Sequence, residues 1–330
     1  MILSIVIPVY NAANHIKKCL NSIWAQGLNT NEYEVVCVDD CSTDNSLEIL
    51  NNISKEHNNL RIIRNKTNRR AGGSRNHGVL EAKGEYIVFI DSDDYFHDNA
   101  LLEVIKVLKE DANDIDIILC DFARENVGTI NNNPTHNWQN KQLMSGKDFM
   151  LSNGLPYGPC QYIFRKVLMI DNNIFFEENV SSEDVDWTHK LALQAEKMQY
   201  KPILLSHYIL HNVSQTADEY RKLRLISERI FAGYRLYQIS HKYNNDQKVS
   251  KHIEAIAFSY IKRGVMLMTT YCGGTKKKRD IIIKFVPDIK TTIFIVNFAR
   301  IYPTLFSTIS SLLSPFTRLA IILKRRIKGR

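Results

Sequence analysis

The run Tyr86–Asp94, YIVFIDSDD, sets five apolar residues directly before three carboxylates, Asp91, Asp93 and Asp94. Side chains two apart at the end of a strand point to the same face. Two hard oxygen ligands so spaced suit Mg2+ or Mn2+ that also binds phosphate oxygens. The competing reading is a solvated turn whose aspartate caps the next helix. A second run, Val38–Ser46 (VDDCSTDNS), places a carboxylate where a nucleotide base or ribose can donate to it. Ser42, Thr43 and Asp44 there read as turn and capping residues. Asp39 and Asp40 repel one another unless each has a partner. In a third run, Asn68–Gly78 (NRRAGGSRNHG), Gly72 and Gly73 permit close backbone approach. Helix N-terminal amides together with Arg75 there favour an anion. The spacing is not GxGxxG, so a dinucleotide site is unsupported, and a plain basic loop is an equal reading. Further along, Glu177–Asp186 forms another cluster of carboxylates.

The elements that must carry these runs follow from hydrophobic period. Ile2–Ile7 is an apolar run closed by Pro8, and Asn11–Trp24 repeats apolar residues at helical spacing (Ile16, Cys19, Leu20, Ile23). Glu34–Val38 reads as a second buried strand, with Leu47, Leu50 and Ile53 following at helix period. Leu60–Ile63 is a third strand, Gly72–Ala82 a helix, and Tyr86–Ile90 a fourth strand. Asp98 is expected to cap a helix through Leu108, with Ile115–Leu119 a further strand. Alternating strand and helix predict an α/β fold, a Rossmann-like mainly parallel sheet flanked by helices, with ligands at the carboxyl ends of the strands. Asn131–Asn133 and their polar neighbours read as an exposed loop. Residues 140–216 are mixed, and helical periods dominate from about 218. The expected division is a first domain over 1–217, with halves 1–120 and 121–217, followed by a helical, basic region over 218–330.

The 330 residues, 44% hydrophobic and 24% charged, suffice for a sizeable core and argue against disorder or collagen-like order. The net charge of +8 is unevenly spread. Residues 276–330 hold 13 Lys/Arg against Asp280 and Asp288, a local +11, so residues 1–275 carry −3. A basic end on a mildly acidic body is expected to meet an anionic surface. The six cysteines, at 19, 37, 41, 120, 160 and 272, show no CxxC pair and no zinc spacing. No basic segment precedes the apolar Met1–Ile7, so no secretory signal is read and a reduced, cytosolic setting is expected.

Taken in order, PVYNA, VDDCSTDNS, NRRAGGSRNHG and DSDD resemble the family 2 glycosyltransferases with the GT-A fold. The resemblance is dense over residues 1–120 and thins towards 216. It implies that Pro8 and Tyr10 line the base, with Asp40 accepting from uracil. It further implies that Asn68 and Arg75 hold the nucleotide and diphosphate, that Asp91 faces ribose or sugar, and that Asp93 holds Mn2+ or Mg2+. FFEENVSSEDVDW (Phe175–Trp187) is similar to the family's acidic acceptor-side motif, which puts Asp184 in the place of the catalytic base. Trp187 and His189 are expected in a helix beside it. Two departures stand out: Cys41 occupies a position often glycine in the family, and Tyr208, His211 and Ser214 replace a Tyr-rich stretch with an arginine. His211 is a candidate metal or phosphate ligand, or a structural histidine. The implied reaction is metal-dependent, inverting sugar transfer from a nucleotide sugar, UDP-linked, to a hydroxyl of a glycan or lipid-linked acceptor, in cell-surface polysaccharide biosynthesis.

Two rival readings remain open at this stage. DxD phosphatases also end an apolar strand in two carboxylates, but on their first strand, whereas here the pair follows the fourth. A nucleic-acid module built on residues 276–330 lacks aromatic–basic interleaving, and the apolar content of that segment fits lipid better, so no nucleic-acid partner is expected. Ile301–Thr317, 17 uncharged residues with Pro303 and Pro315, is short and broken for a span. Phe316, Leu319, Ala320, Leu323 and Ile327 share one helical face opposite Arg318, Arg325 and Lys328. Peripheral docking on the inner face of a membrane is therefore expected, worth ~1 kcal/mol per basic residue near anionic lipid.

Overall fold

The computed structural model describes residues 1–110, 115–126, 129–131, 138, 142–180, 182–210 and 219–271. The chain divides into two compact units, Met1–Asn212 and Val213–Arg330.

In the first unit the strands are β1 (Leu3–Val9), β2 (Tyr33–Asp39), β3 (Leu60–Arg64), β4 (Tyr86–Phe89), β5 (Tyr95–Phe96), β6 (Ile117–Asn126), β7 (Thr129–Asn131), β8 (Tyr162–Arg165) and β9 (Met198–Ile209). Its helices are α1 (Ile16–Trp24), α2 (Ser46–Ile53), α3 (Arg70–Glu81), α4 (Ala100–Glu110), α5 (Gly146–Asn153), α6 (Lys166–Asp171) and α7 (Asp184–Gln194). The sheet runs β3-β2-β1-β4-β8-β6-β9-β5, with β7 paired to β6. The four N-terminal strands are parallel, so their carboxyl ends, and the loops after them, gather along one edge.

The sheet is covered on both faces, and the period of two decides which side chain goes where. Leu3, Ile5, Ile7 and Val9 pack with Ile16, Cys19, Leu20 and Ile23 of α1 and with Leu101, Val104 and Ile105 of α4. Val6, Val36, Val38 and Phe89 face the other way, against Val79 of α3 and Trp187 and Leu191 of α7. Trp187 is fully buried, stacked on Phe176 at 4.4 Å with its edges towards Phe89 and Phe164. Truncating so large a core aromatic costs about 3–5 kcal/mol, so this cluster fixes the helix that begins at Asp184. Gly78 of α3 sits where a Cβ would lie 2.3 Å from Val6, which lets the helix lie close on β1.

Several elements differ from the sequence expectations. Pro8 does not end the first strand, which runs to Val9. The first helix starts at Ile16, five residues later than expected, because residues 11–13 are held by the second loop. Asn11 and Ala12 donate from the backbone to Ser42 and Ser46, and Ala13 to Asp44. The fourth helix starts at Ala100 rather than being capped by Asp98. Asn99, with φ +61°, precedes it, and its carbonyl accepts from the Glu103 amide. β5 was not foreseen. β6 is twice the expected length and lies between the antiparallel β8 and the parallel β9, so the sheet is mixed in its second half. Part of the expected 131–133 loop is strand, since Asn131 closes β7 against Arg124.

The second unit contains α8 (Glu219–Lys242) and α9 (Gln247–Tyr271), two helices joined by a short turn. Ile230, Leu236 and Ile239 of α8 are buried, as are Val249, Ile253 and Ile261 of α9. No helix among the described residues is long and apolar enough to cross a membrane. His211 and the basic segment 276–330 lie outside the described residues.

Candidate active site

Each of the first three parallel strands ends in a loop held in an uncommon conformation. Asn11 after β1, Cys41 after β2 and Arg70 after β3 all have φ between +52° and +62°. Such backbone is costly for residues with a side chain and concentrates where the surrounding structure serves a ligand. The left-handed φ of Cys41 is the physical reason that glycine suits this position in the resembling family.

Asp39 and Asp40 each have the partners their proximity demands. Asp39 accepts from the Ser42 amide and pairs with Arg64 at 3.3 Å. Asp40, 2% exposed, accepts on Oδ1 from Asn65 Nδ2 at 2.7 Å and from the Arg69 amide at 2.8 Å. Its Oδ2 is buried with no hydrogen-bond donor, an acceptor that an imide N–H of a base could satisfy. Asn65, absent from the sequence reading, also donates to Ser74 and faces His77 Nδ1. Asn68 donates to the Asp40 carbonyl at 3.1 Å and accepts from the Arg70 amide, so it shapes this loop. Pro8 is buried within β1, and Tyr10, just beyond, is 53% exposed.

Arg75 occupies the centre of the arrangement. Its side chain is 4% exposed, with Nη2 donating to Asp91 Oδ1 at 2.6 Å and Nη1 to Glu183 Oε1 at 2.9 Å. The resemblance implies a place for Arg75 at the nucleotide and diphosphate; in the structure its guanidinium joins the end of β4 to the acidic segment before α7. Burial works to lower its pKa, but the Asp91 and Glu183 carboxylates outweigh that and hold it charged. Gly72 likewise serves an approach within the protein, since a Cβ there would lie 3.0 Å from the Glu177 carbonyl oxygen. Nearby, Arg69 makes a two-pronged ion pair with Glu178, and Asn76 exchanges hydrogen bonds with the Phe176 backbone. The amino end of α3 therefore clasps residues 176–183, which no local signal in the sequence foretold.

Asp184 opens α7 one residue after Glu183. Burial, then the neighbouring Glu183 charge, push its carboxyl up to about 7, with Arg75 pulling the other way. Asp94 is pushed up to about 8, by burial and then by Asp91, while its Oδ1 accepts from the Ile209 amide. Arg75, Asp91, Asp94, Glu183 and Asp184 all line one cavity of about 680 Å³. Its remaining walls include Phe122, Arg124, Tyr157, Cys160 and Tyr208, none of which the sequence reading placed there apart from naming Tyr208.

Among the described residues no three acidic, histidine or cysteine side chains converge into a metal cage. At the end of β4 one oxygen of Asp91 is given to Arg75, and Asp94 is buried and hydrogen-bonded, while Asp91 and Asp93 are only half-buried. One or two carboxylates with substrate phosphates and water making up the shell is how Mg2+ is usually held. The donor set fits such an ion, and the crowding that lifts Asp94 is what a dication relieves.

A mixed sheet with nucleotide-type loops at the ends of its first four strands and a carboxylate helix across the cavity is the GT-A glycosyltransferase fold. The chain belongs to glycosyl transferase family 2, whose profile matches residues 4–170. That membership decides against the phosphatase reading. Poly(ribitol-phosphate) beta-glucosyltransferase of Bacillus spizizenii is 36% identical over 201 residues, covering 60% of this chain and 30% of that protein. TarS of Staphylococcus aureus, a poly(ribitol-phosphate) beta-N-acetylglucosaminyltransferase, is 31% identical over 59% of this chain and 33% of its own length. The chain thus spans about a third of these two relatives. A crystal structure of TarS residues 1–349 with UDP superposes with a TM-score of 0.64 at 21% identity, covering all of this chain and 92% of that one. A mannosyltransferase from Pyrobaculum calidifontis, solved with GDP-Man and Mn2+, has a TM-score of 0.53 at 15% identity over 96% of this chain and 86% of its own.

Proposed function

We propose that this chain transfers a sugar, with inversion, from a UDP-linked donor to a hydroxyl of a glycan or lipid-linked acceptor in cell-surface polysaccharide assembly. The observation that carries this is the bridge from Asp91 through Arg75 to Glu183, which sets the end of β4 and Asp184 on one cavity. Pro8 and Tyr10 flank the base, Asp40 accepts from it on its unpartnered oxygen, and Asn68 holds the loop around it. Asp91 faces the ribose or sugar, and Asp93 holds Mn2+ or Mg2+. The bound ion supplies Lewis-acid stabilisation of the charge left on the departing diphosphate. Asp184 takes the proton from the acceptor hydroxyl as its oxygen attacks the anomeric carbon opposite the leaving group. The bond from that carbon to the phosphate oxygen breaks, and UDP departs. A carboxyl pushed up to about 7 is matched to a base working near neutrality. Arg75 acts by holding Asp91 and Glu183 in place.

Residues 1–217 form the catalytic part in this reading, with 218–330 a helical, basic region whose end docks peripherally on the inner face of a membrane. Full-length protein should pellet with anionic vesicles at low salt, and charge reversal at Lys324, Arg325, Arg326 and Lys328 should abolish that. A panel of nucleotide sugars, scored by thermal unfolding with and without Mn2+, tests the donor assignment. A UDP-sugar is expected to raise the melting temperature most, and more with the metal. No shift with any nucleotide sugar would overturn the reading.

A further inference from the structure

The cavity beside Asp184 holds four carboxylates, Asp91, Asp94, Glu183 and Asp184, and two arginines. Arg75 is consumed by Asp91 and Glu183. Arg124 is different. It lies on β6 two residues after Phe122, so both project from the same face of the strand. In the parallel pairing with β9 it stands in register with Tyr208. Its guanidinium is held over the Phe122 ring at 5.7 Å, and Phe122 meets Tyr208 edge-on at 6.3 Å. Arg124 is exposed, and among the described residues no carboxylate is bonded to it. A planar fork of donors pre-set by an aromatic face, with no anion of its own, is built to receive one.

The donor's diphosphate is not the natural anion for it. In the sheet, β6 is separated from β4 by β8, which at ~4.8 Å per strand sets Arg124 about 10 Å sideways from the strand that ends at Asp91. Asp184 lines the same cavity, so a ligand touching Arg124 can present a hydroxyl to that carboxylate. An anionic ligand would otherwise enter a cavity dominated by like charge, and Arg124 is the cation that offsets this.

We propose that Arg124, packed with Phe122 and Tyr208, is an acceptor subsite for an oxyanion carried close to the accepting hydroxyl, so that the acceptor is a polyol or glycan bearing phosphodiester or carboxylate groups. This rests on the glycosyltransferase reading above and names its acceptor class. Calorimetric titration of the UDP-saturated full-length protein tests it with three probes: a polyol-phosphate oligomer, a uronate-containing oligosaccharide and a neutral oligosaccharide of similar length. Wild-type protein should bind an oxyanion-bearing probe more tightly than the neutral one, and added salt should weaken that preference. Arg124→Gln should lose about tenfold or more on the anionic probe, the worth of a charge-assisted hydrogen bond, and change less than about threefold on the neutral one. Arg124→Lys should fall between. Which anionic probe binds separates phosphate from carboxylate. Equal loss on neutral and anionic probes, no preference for either anion in the wild type, or a parallel loss of UDP affinity in Arg124→Gln would each overturn the subsite. Failure of the wild type to bind UDP at all would instead sink the UDP-donor reading on which the subsite rests.

Discussion

Replacing Asp184 by asparagine should remove activity and add stability, and the second effect can be worked from the structure. The carboxyl is pushed from an ordinary value of 3.8 up to about 7, mainly by burial and then by Glu183. The folded state therefore holds the proton more tightly than the unfolded chain between pH about 4 and 7. Stability falls as pH climbs through that window, and the whole cost is present above it. A shift of about 3 units at 1.36 kcal/mol each gives up to about 4 kcal/mol. Asparagine is neutral and nearly the same shape, so Asp184→Asn should be more stable than wild type by up to that amount at pH 8. The gain should shrink towards zero near pH 4. All three tryptophans, Trp24, Trp138 and Trp187, lie in Met1–Asn212, so urea unfolding followed by their fluorescence reports on this unit. Over the same range wild-type turnover should drop as pH falls below about 7, and Asp184→Asn should lose about 10²–10⁴ in turnover while keeping its UDP affinity. A stability difference that does not change with pH, or a variant less stable at pH 8, would refute the placement of a buried, charge-crowded carboxylate at the start of α7. Comparable losses of UDP binding and turnover would move Asp184 to the donor side.

Three further outcomes follow from the same geometry. Arg75→Met leaves Asp91 and Glu183 uncompensated and should destabilise the first unit by about 3–5 kcal/mol at neutral pH, read by the same fluorescence titration; a loss below 1 kcal/mol would contradict the bridging role. Arg75→Lys should rescue only part, because one ammonium cannot reproduce the two-sided fork. Cys41→Gly relieves the left-handed strain but gives up the thiol's 3.1 Å contact with the Asn65 carbonyl, so its stability should change by less than about 1 kcal/mol. Cys41→Val should cost more than Cys41→Gly, since a β-branched residue is ill suited to that φ. UDP-sugar hydrolysis should require Mn2+ or Mg2+ and fall by an order of magnitude or more in Asp93→Asn; full activity of that variant in EDTA would remove Asp93 from the metal site.

The parts of this protein that were legible in the sequence are those set by near neighbours. A continuous apolar run followed within a few residues by Asp, Ser or Asn marks a buried strand's end with a polar loop, and four such marks alternating with helical periods imply parallel strands with their loops on one edge. The carboxylate runs at Val38–Ser46, Tyr86–Asp94 and Glu177–Asp186 are visible in the sequence itself, whereas the roles expected of Asp40, Asn68, Asp91, Asp93 and Asp184 come from the resemblance of their motifs to the family. The antiparallel β8 between β4 and β6, the short β5 and the length of β6 could not, because strand pairing is decided by register and packing between segments far apart in the chain. The same holds for the partners of the functional side chains. Arg75 meets Glu183 across 108 residues and Asp91 across 16, and Arg69 meets Glu178 across 109. Nothing local in the sequence shows that the Arg75 guanidinium meets these two carboxylates. Nor does composition contain the pKa of Asp184, which arises from its burial and then from the charges folded around it. The sequence thus determined which chemical groups stand at the strand ends. Only the tertiary structure decided which of them neutralise one another and which, Arg124 among them, are left to meet a ligand, because Coulomb and desolvation energies depend on distances that exist only once the chain is packed.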